Sequence, residues 1–319
     1  MTAEAAGPAD RVARGIGLYV LAILLLASMD AVIKWLSSDY PTQQIVFFRA
    51  LFGLLPLMTI LAIRRRFRDL RTRRLGGQLG RGVLSACAAL CFFYAFGQMP
   101  LADAYAIAFA SPLLVTALSV PLLGEPVGRH RWVAVGIGFV GILVVLRPGQ
   151  SGLDQFLTLG ALAALAGTFF FSLSVVLIRR MTRTESNASL VFYAALVTIV
   201  VSGSGLPFGF VWPDPSDLAL MALVGLLGGF GVIFVTEAFR SAPVSILAPF
   251  EYTAMIWALV YGYSIWGDVP DGWVLSGGAI VICSGLYILH RETRRRTNRA
   301  ATERLAMAPV NQTGAKDEN

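Results

Sequence analysis

Three ionisable residues interrupt long apolar stretches of this sequence and are the residues best suited to chemistry in an apolar environment. Asp30, Arg49 and Glu251 each lie well inside an apolar run. Charge is costly in hydrocarbon, so such residues normally face a water-filled cavity or an opposite charge. A carboxylate in that setting can carry a proton or recognise an amine, and an arginine can bind an anion. Glu251 and Asp30 are therefore the candidates for proton coupling.

Each of these residues also has a purely structural interpretation. Lys34 lies one helical turn after Asp30, near the end of its apolar run, where a lysine can extend to the interface. Asp30, Lys34 and Arg49 could then form an ion cluster that only stabilises the fold. Glu251 could be a structural carboxyl that burial keeps neutral. Both interpretations stay open at the level of sequence.

Prolines and aromatic residues extend the candidate site. Pro112 and Pro249 lie inside apolar runs, where a proline frees a backbone carbonyl and widens a helix locally. The aromatic residues could equally be packing residues. We predict a substrate cavity framed by Asp30, Arg49, Tyr94, Tyr105, Phe109, Pro112, Pro249, Glu251 and Tyr252.

The sequence lacks the motifs of several other chemistries. It contains neither a GxxxxGK[ST] phosphate loop nor an HExxH pair, and its two histidines, His130 and His290, lie at the ends of apolar runs. The three cysteines have no disulfide or zinc spacing. We therefore predict that the protein is not an enzyme, has no catalytic residues, and binds neither a cofactor nor a metal.

Transmembrane helices are the elements that would position the candidate residues. Of 319 residues, 56% are apolar and only 14% are charged, whereas a soluble domain carries roughly a quarter charged residues. A bilayer core of roughly 30 Å requires about 20 apolar residues per helix. We predict an all-α integral membrane protein with ten transmembrane helices at 15–36, 43–63, 79–98, 101–123, 130–147, 157–179, 187–208, 217–239, 244–266 and 271–290.

The placement of arginines predicts the orientation. The net charge is +7, and the basic residues fall in short clusters between the apolar segments. Such loops normally stay on the cytoplasmic side, where they meet anionic lipid. We predict a multi-pass protein of the bacterial inner membrane with both termini in the cytoplasm. The same placement argues against nucleic-acid binding.

The two halves of the sequence repeat each other. With a shift of 143 residues, the coinciding positions are Ala95-Phe96 with Ala238-Phe239, Pro100 with Pro243, and Gly124 with Gly267. Each half holds five spans, and because five is odd, the second half must enter the membrane from the opposite face. Inverted repeats of this kind are typical of transporters. The buried charges do not follow the repeat. We therefore expect the functional residues to lie at positions that differ between the two halves.

The spans and the repeat predict five segments. They are a cytoplasmic N-terminal segment 1–14, a first repeat 15–147, a periplasmic linker 148–156, a second repeat 157–290, and a basic cytoplasmic tail 291–319 that is expected to be disordered.

The chain resembles the drug/metabolite transporter superfamily in its ten-span EamA form. Residues 93–149 and 237–292 carry the resemblance, through the loop proline of AFGQMP and AFRSAP, a late Gly-Glu or Gly-Asp pair, and a glycine-rich last span. The resemblance implies ten helices around a central cavity lined mainly by spans three, four, eight and nine, plus parts of one and six. It also implies secondary transport, usually export of amino acids or other small metabolites, although some relatives take up riboflavin or S-adenosylmethionine.

We therefore predict a secondary active transporter that moves a small polar metabolite across the inner membrane by alternating access, with export of amino acids or related metabolites as the preferred reading. Uptake of a larger heteroaromatic metabolite, such as riboflavin or S-adenosylmethionine, is the first alternative. A non-transporting scaffold or complex subunit is the second. The expected partners are a small-molecule substrate and the lipid bilayer, and a homodimer is compatible with the sequence.

Overall fold

The computed structural model describes residues 8–124, 129–146, 158–181 and 184–288. The predicted linker 148–156, the predicted tail 291–319 and Glu125 lie outside the described residues. Within the described ranges the chain is helical and forms no strand.

Twelve α-helices make up most of the described chain. They are α1 Pro8–Leu36, α2 Thr42–Ile63, α3 Leu75–Gln98, α4 Leu101–Ala108, α5 Ser111–Leu123, α6 Arg129–Leu146, α7 Leu159–Met181, α8 Asn187–Gly203, α9 Pro215–Ser241, α10 Val244–Glu251, α11 Thr253–Tyr261 and α12 Gly272–Ile288. Short 3₁₀ turns at Phe67–Leu70 and Leu206–Phe208 follow α2 and α8, and a π-helical turn at Gly262–Trp266 continues α11.

The helices are long and apolar enough for a multi-pass membrane protein. Seven segments of the described chain have the length and hydropathy to cross a bilayer, and the apolar helices at Trp132–Leu146 and Gly272–Ile288 are shorter. The seven segments are Arg11–Leu36, Thr42–Ile63, Leu75–Gln98, Leu101–Leu123, Leu159–Met181, Asn187–Phe208 and Pro215–Ser241. Large apolar side chains such as Leu55, Val140 and Val200 are exposed on the outside of the bundle, as expected of helices that face lipid tails.

Two helical segments are interrupted, one in each half of the chain. The α4–α5 segment breaks at Phe109–Ala110, and the α10–α11 segment breaks at Tyr252. Pro112 follows the first break and Pro249 precedes the second, and each proline lacks the N–H that would continue the helical hydrogen bonds. Phe109 and Tyr252 are 143 residues apart, the shift of the sequence repeat, and their ring centroids lie 5.1 Å apart. The interruptions of the two halves therefore meet.

Glycines allow several helix pairs to approach closely. A Cβ on Gly225 of α9 would lie 2.8 Å from the backbone nitrogen of Gly53 of α2, and one on Gly229 would lie 2.8 Å from the Gly53 carbonyl oxygen. Likewise, a Cβ on Gly277 of α12 would lie 2.7 Å from the carbonyl oxygen of Gly141 of α6. Small residues at such crossings let helix backbones pack without side chains between them.

The bundle has two chemically different ends. Loop 64–74, residues 184–186 and the turn 240–243 lie at one end, which we call the arginine-rich end. Residues 37–41, 209–217 and 267–271, which contain Asp39, Asp214 and Asp268, lie at the other, which we call the acidic end. Contacts between loops define each group: Ser186 Oγ donates to the Asp69 carbonyl at the arginine-rich end, and Gln44 Nε2 donates to the Val211 carbonyl at 2.7 Å at the acidic end.

Candidate substrate cavity

Two connected cavities run into the bundle. The central cavity has a volume of about 460 Å³, and a vestibule of about 520 Å³ continues from it. The residues that line both are Arg49, Arg81, Ser85, Ala89 and Ile178. The vestibule is also lined by Arg64, Arg66 and Arg240, so the space opens toward the arginine-rich end.

Asp30 is a buried carboxylate of α1 that faces the central cavity. Its side chain is only 9% exposed, and it lines the cavity between α1 and α4. The hydroxyl of Tyr105 donates a hydrogen bond to Asp30 Oδ2 at 2.6 Å. This bond holds the carboxylate in a fixed orientation on the cavity wall.

Arg49 of α2 faces the cavity and makes no salt bridge with a described carboxylate, although the charge of Asp30 acts on it. Its Nε donates to the Met29 sulfur at 3.4 Å, and its guanidinium carbon lies 5.3 Å from the centroid of the Phe93 ring. A sulfur is a weak acceptor, and a cation–π contact leaves the cation free to bind an anion as well. Lys34 pairs with Asp268 and does not join the predicted cluster, so Asp30 and Arg49 are the two members whose charges act on each other.

Glu251 is the last residue of α10 and lines the central cavity. Its carboxylate has no hydrogen-bond partner among the described residues and is exposed to the cavity. A carboxylate in this position is satisfied by water or by a ligand in the cavity. Glu251 is therefore the least constrained ionisable group of the site.

A row of five aromatic rings begins in one wall of the cavity and ends behind it, at Tyr252. The chain of neighbours runs Phe92, Phe96, Tyr105, Phe109 and Tyr252, with successive ring centroids 6.3, 6.1, 6.0 and 5.1 Å apart. Pairs at these separations stabilise one another beyond simple burial. Tyr105, in the middle of the row, carries the hydroxyl that binds Asp30.

Arg81 is a site residue that sequence reasoning missed. It lies on α3, is only 5% exposed and lines both cavities. The predicted third span begins at residue 79, which placed Arg81 at the interface next to the arginine-rich loop. The helix begins at Leu75, so Arg81 lies about one turn deeper than predicted. Its position within the apolar run predicted as the third span was the signal that could have identified Arg81.

The structure brings together five of the nine residues predicted for the cavity. Those that line the central cavity are Asp30, Arg49, Tyr105, Phe109 and Glu251. The other four line neither of the two cavities. Tyr94 follows Phe93 on α3, and consecutive helical residues point in different directions.

The remaining three residues lie at the helix breaks. Pro112 belongs to the first turn of α5, and Pro249 is exposed on α10. Tyr252 packs edge-on against Phe109 and fills the space beside Gly285. These residues shape the breaks behind the wall, and direct contact between them and a substrate stays a prediction.

A second polar group closes the acidic end. Lys34 Nζ lies 2.9 Å from Asp268 Oδ2, donates to the Met99 carbonyl at 3.1 Å, and sits 4.8 Å from the centroid of the Trp266 ring. Nearby, the Tyr40 hydroxyl donates to Asp217 at 2.7 Å. These bonds join the first half of the chain to the second. Lys34 therefore has a specific partner in the other half, at the end of the bundle toward which its side chain was expected to extend.

The chain belongs to the EamA-like transporter family. The family model matches it twice, over residues 13–147 and 158–290. The two matched stretches coincide closely with the two repeats predicted at 15–147 and 157–290.

Curated relatives of this chain are bacterial transporters. It is 26% identical to an S-adenosylmethionine uptake transporter of Rickettsia conorii, with 88% of this chain and 94% of the relative covered. It is 29% identical to a pseudopaline exporter of Pseudomonas aeruginosa, with 86% and 95% covered. It is 28% identical to a riboflavin transporter of Rhizobium johnstonii, with 86% and 91% covered.

A solved crystal structure has the same fold. It superposes with a TM-score of 0.61 at 20% sequence identity and covers 89% of this chain and 99% of that chain. The likeness extends over the whole bundle and concerns the fold alone.

Proposed function

We propose that this protein is a secondary carrier that moves a small polar metabolite across the membrane by alternating access. The observation that carries the proposal is a cavity with charged walls inside an apolar helical bundle, open toward one end and closed at the other by bonds between the two halves. A carrier needs such a site to be reachable from one side at a time.

We further propose ten spans in two inverted repeats. The first repeat contains α1, α2, α3, the α4–α5 pair and α6, and the second contains α7, α8, α9, the α10–α11 pair and α12. Three observations support this arrangement: the family model matches twice, the helix breaks lie at equivalent positions, and Gly124 and Gly267 end the broken segments with φ of 66° and 70°.

The proposed orientation has the arginine-rich end in the cytoplasm of a bacterial cell, with the protein in the inner membrane. The positive charge of loop 64–74 supports this choice, since cytoplasmic loops carry an excess of arginine and lysine. The structure is then inward-open, and the acidic end is the closed periplasmic side.

Export of amino acids or related metabolites is the proposed activity, and the charged walls of the cavity favour such solutes. Uptake of a larger heteroaromatic metabolite is the second candidate. It is favoured by the aromatic wall of the cavity and by relatives named for S-adenosylmethionine uptake and riboflavin transport.

Purified protein in proteoliposomes tests both candidates. Counterflow of labelled amino acids, riboflavin and S-adenosylmethionine measures which solute is carried, and flux in oriented vesicles under an imposed pH gradient gives the direction. We expect saturable counterflow for at least one solute. Complete absence of counterflow, with the protein folded, would favour a scaffold.

A further inference from the structure

The charged residues of the central cavity lie at two levels. Arg81 and Glu251 are six and seven residues from the starts of α3 and α10, which is about 9 and about 10 Å from the arginine-rich end at 1.5 Å per residue. Asp30 and Arg49 are six residues from the end of α1 and seven from the start of α2, at a similar depth from the acidic end. Each level therefore presents one cation and one carboxylate to the same cavity.

The guanidinium of Arg81 is not satisfied by the protein. It donates to the Leu190 carbonyl, while its Nε is buried and has no hydrogen-bond partner in the described structure. No described carboxylate forms an ion pair with it. An arginine offers five N–H donors, and a buried cation without a counter-charge strongly destabilises a fold.

A purely structural role leaves this arrangement unexplained. The bond to Leu190 joins α3 to α8, but a single hydrogen bond to a backbone carbonyl does not require a buried charge. The neighbouring contact of Gly82 with Val197 already brings these helices together. Arg81 also lines the junction of the vestibule and the central cavity, where an incoming solute must pass.

We propose that the substrate is a zwitterion and that Arg81 is the residue that receives its carboxylate from the vestibule. At the inner level the carboxylate binds Arg81 while the cationic group faces Glu251. At the outer level Arg49 and Asp30 take the same roles. The solute passes from one cation–carboxylate pair to the other as the carrier changes conformation.

The balance of charges selects a zwitterion over an ion of one sign. A purely anionic solute would be drawn to the two arginines but repelled by Asp30 and Glu251 in the same cavity. A purely cationic solute would be drawn to Asp30 and Glu251 but repelled by the two arginines. A zwitterion satisfies one residue of each sign at either level, and bidentate arginine–carboxylate bonds add geometric selectivity.

This inference rests on the proposed transport function and is tested by pairing residue changes with changes in the ligand. The probes are the proteinogenic amino acids and S-adenosylmethionine, each measured against its decarboxylated amine. Tryptophan is also compared with indole-3-propionate, which keeps the carboxylate but lacks the amine. Binding is measured by titration calorimetry on the purified full chain, and counterflow in proteoliposomes is measured in parallel.

The informative variant is Arg81→Gln, because glutamine keeps a polar amide at the position of the arginine Nε but carries no charge. In the wild type we expect a zwitterion to bind roughly 10- to 100-fold more tightly than its amine, the range for hydrogen bonds to a charged group. Arg81→Gln should abolish that preference while binding of the amine is unchanged. Arg81→Lys, which keeps the charge, should retain part of it, and it serves as the second variant if the glutamine protein does not fold.

Arg68→Gln is the matched control, since Arg68 is an exposed arginine of loop 64–74 that lines neither cavity and should leave the preference unchanged. The inference is overturned if no zwitterion of the panel binds, if amines bind as tightly, if indole-3-propionate binds as tightly as tryptophan, or if Arg81→Gln keeps the wild-type preference. Counterflow of amines without any preference for zwitterions would leave the transport function standing. Zwitterion binding without any flux would refute transport instead.

Discussion

At the scale of single residues, the two cavity carboxylates differ in what holds them. The phenol of Tyr105 donates to Asp30 at 2.6 Å, whereas Glu251 has no described hydrogen-bond partner and faces the cavity. The bond to Tyr105 holds the Asp30 carboxyl in one orientation, whereas a carboxyl without a fixed partner is free to bind water or a ligand in the cavity. Glu251 is therefore the better candidate for coupling, and Asp30 for orienting the substrate.

Replacing Glu251 by glutamine should separate coupling from substrate movement. In Glu251→Gln we expect accumulation driven by a pH gradient to fall to the passive level, because glutamine cannot carry a proton. Counterflow should persist with a weaker apparent affinity, because the cationic group of the substrate loses its partner at the inner level. Asp30→Asn is the comparison, and it should weaken both activities because it loosens substrate binding. Uptake into proteoliposomes with and without the gradient measures both. Unchanged gradient-driven accumulation and pH dependence in both variants would refute coupling by these carboxylates.

The cavity residues that the sequence predicted correctly are those whose chemistry differs from that of their neighbours in the chain. Asp30, Arg49 and Glu251 are charges inside apolar runs, so their cost in hydrocarbon identified them. Arg81 followed a loop already rich in arginine, and its depth depended on where the helix starts. The partner of Lys34 is 234 residues away, and no local pattern predicts a contact at that separation.

At the scale of helices, the crossing of α2 and α9 depends on glycine. Gly225→Ala places a methyl group 2.8 Å from the Gly53 backbone nitrogen, so the helices must separate. Overpacking of this kind destabilises by about 1–3 kcal/mol. Gly136→Ala is the matched control, because nothing lies within 4 Å of its Cβ position. Thermal unfolding in detergent should show a loss for Gly225→Ala and none for Gly136→Ala. Equal stability of the two variants would contradict the close crossing.

The positions of the helices were predicted more completely than the places where helices are interrupted. The hydropathy pattern located α2 at 43–63 against an observed Thr42–Ile63, since apolar length defines a membrane helix. The same pattern could not locate the breaks at Phe109 and Tyr252, because proline affects its surroundings over a full turn. Pro112 follows one break and Pro249 precedes the other, so only the backbone path decides which residues reach the cavity.

Loops at the arginine-rich end are joined through the buried carboxylate of Glu185. It accepts hydrogen bonds from the Arg73 backbone N–H at 3.0 Å and from Gln78 Nε2 at 3.3 Å. Burial alone would raise the pKa of Glu185, but these bonds, with others from Thr72 and Ser189, outweigh burial and leave the pKa below its ordinary value. The carboxylate form is therefore the one that connects loop 64–74 to the α7–α8 turn.

This connection should make stability depend on pH. A carboxyl whose pKa is lower in the folded state stabilises the fold above its unfolded pKa, and that contribution is lost as pH falls through the folded pKa. We expect the wild type to lose part of its thermal stability on acidification, and Glu185→Gln to lose less over the same range while being less stable at neutral pH. Unfolding temperatures across an acid series measure this. Parallel pH profiles for the two proteins would contradict the assignment.

At the scale of the whole molecule, the closed acidic end depends on contacts between the two halves. Lys34 of the first half binds Asp268 and the Trp266 ring of the second. In the proposed carrier these contacts exist only while the acidic end is closed, so they are expected to favour the inward-open state over the outward-open state. A partly exposed ion pair contributes up to about 1 kcal/mol, which is roughly a fivefold change in the ratio of the two states.

Asp268→Asn should therefore shift the population toward the outward-open state by up to about fivefold, and Lys34→Met should do the same. The double variant should shift it no further than the larger single change, because both variants remove one interaction. Distances between spin labels across the acidic end measure the populations. Glu237→Gln is the control, since its partner Arg240 lies on the same helix and the pair is kept in either state. Additive shifts in the double variant would show that Lys34 and Asp268 act separately and that other contacts close this end.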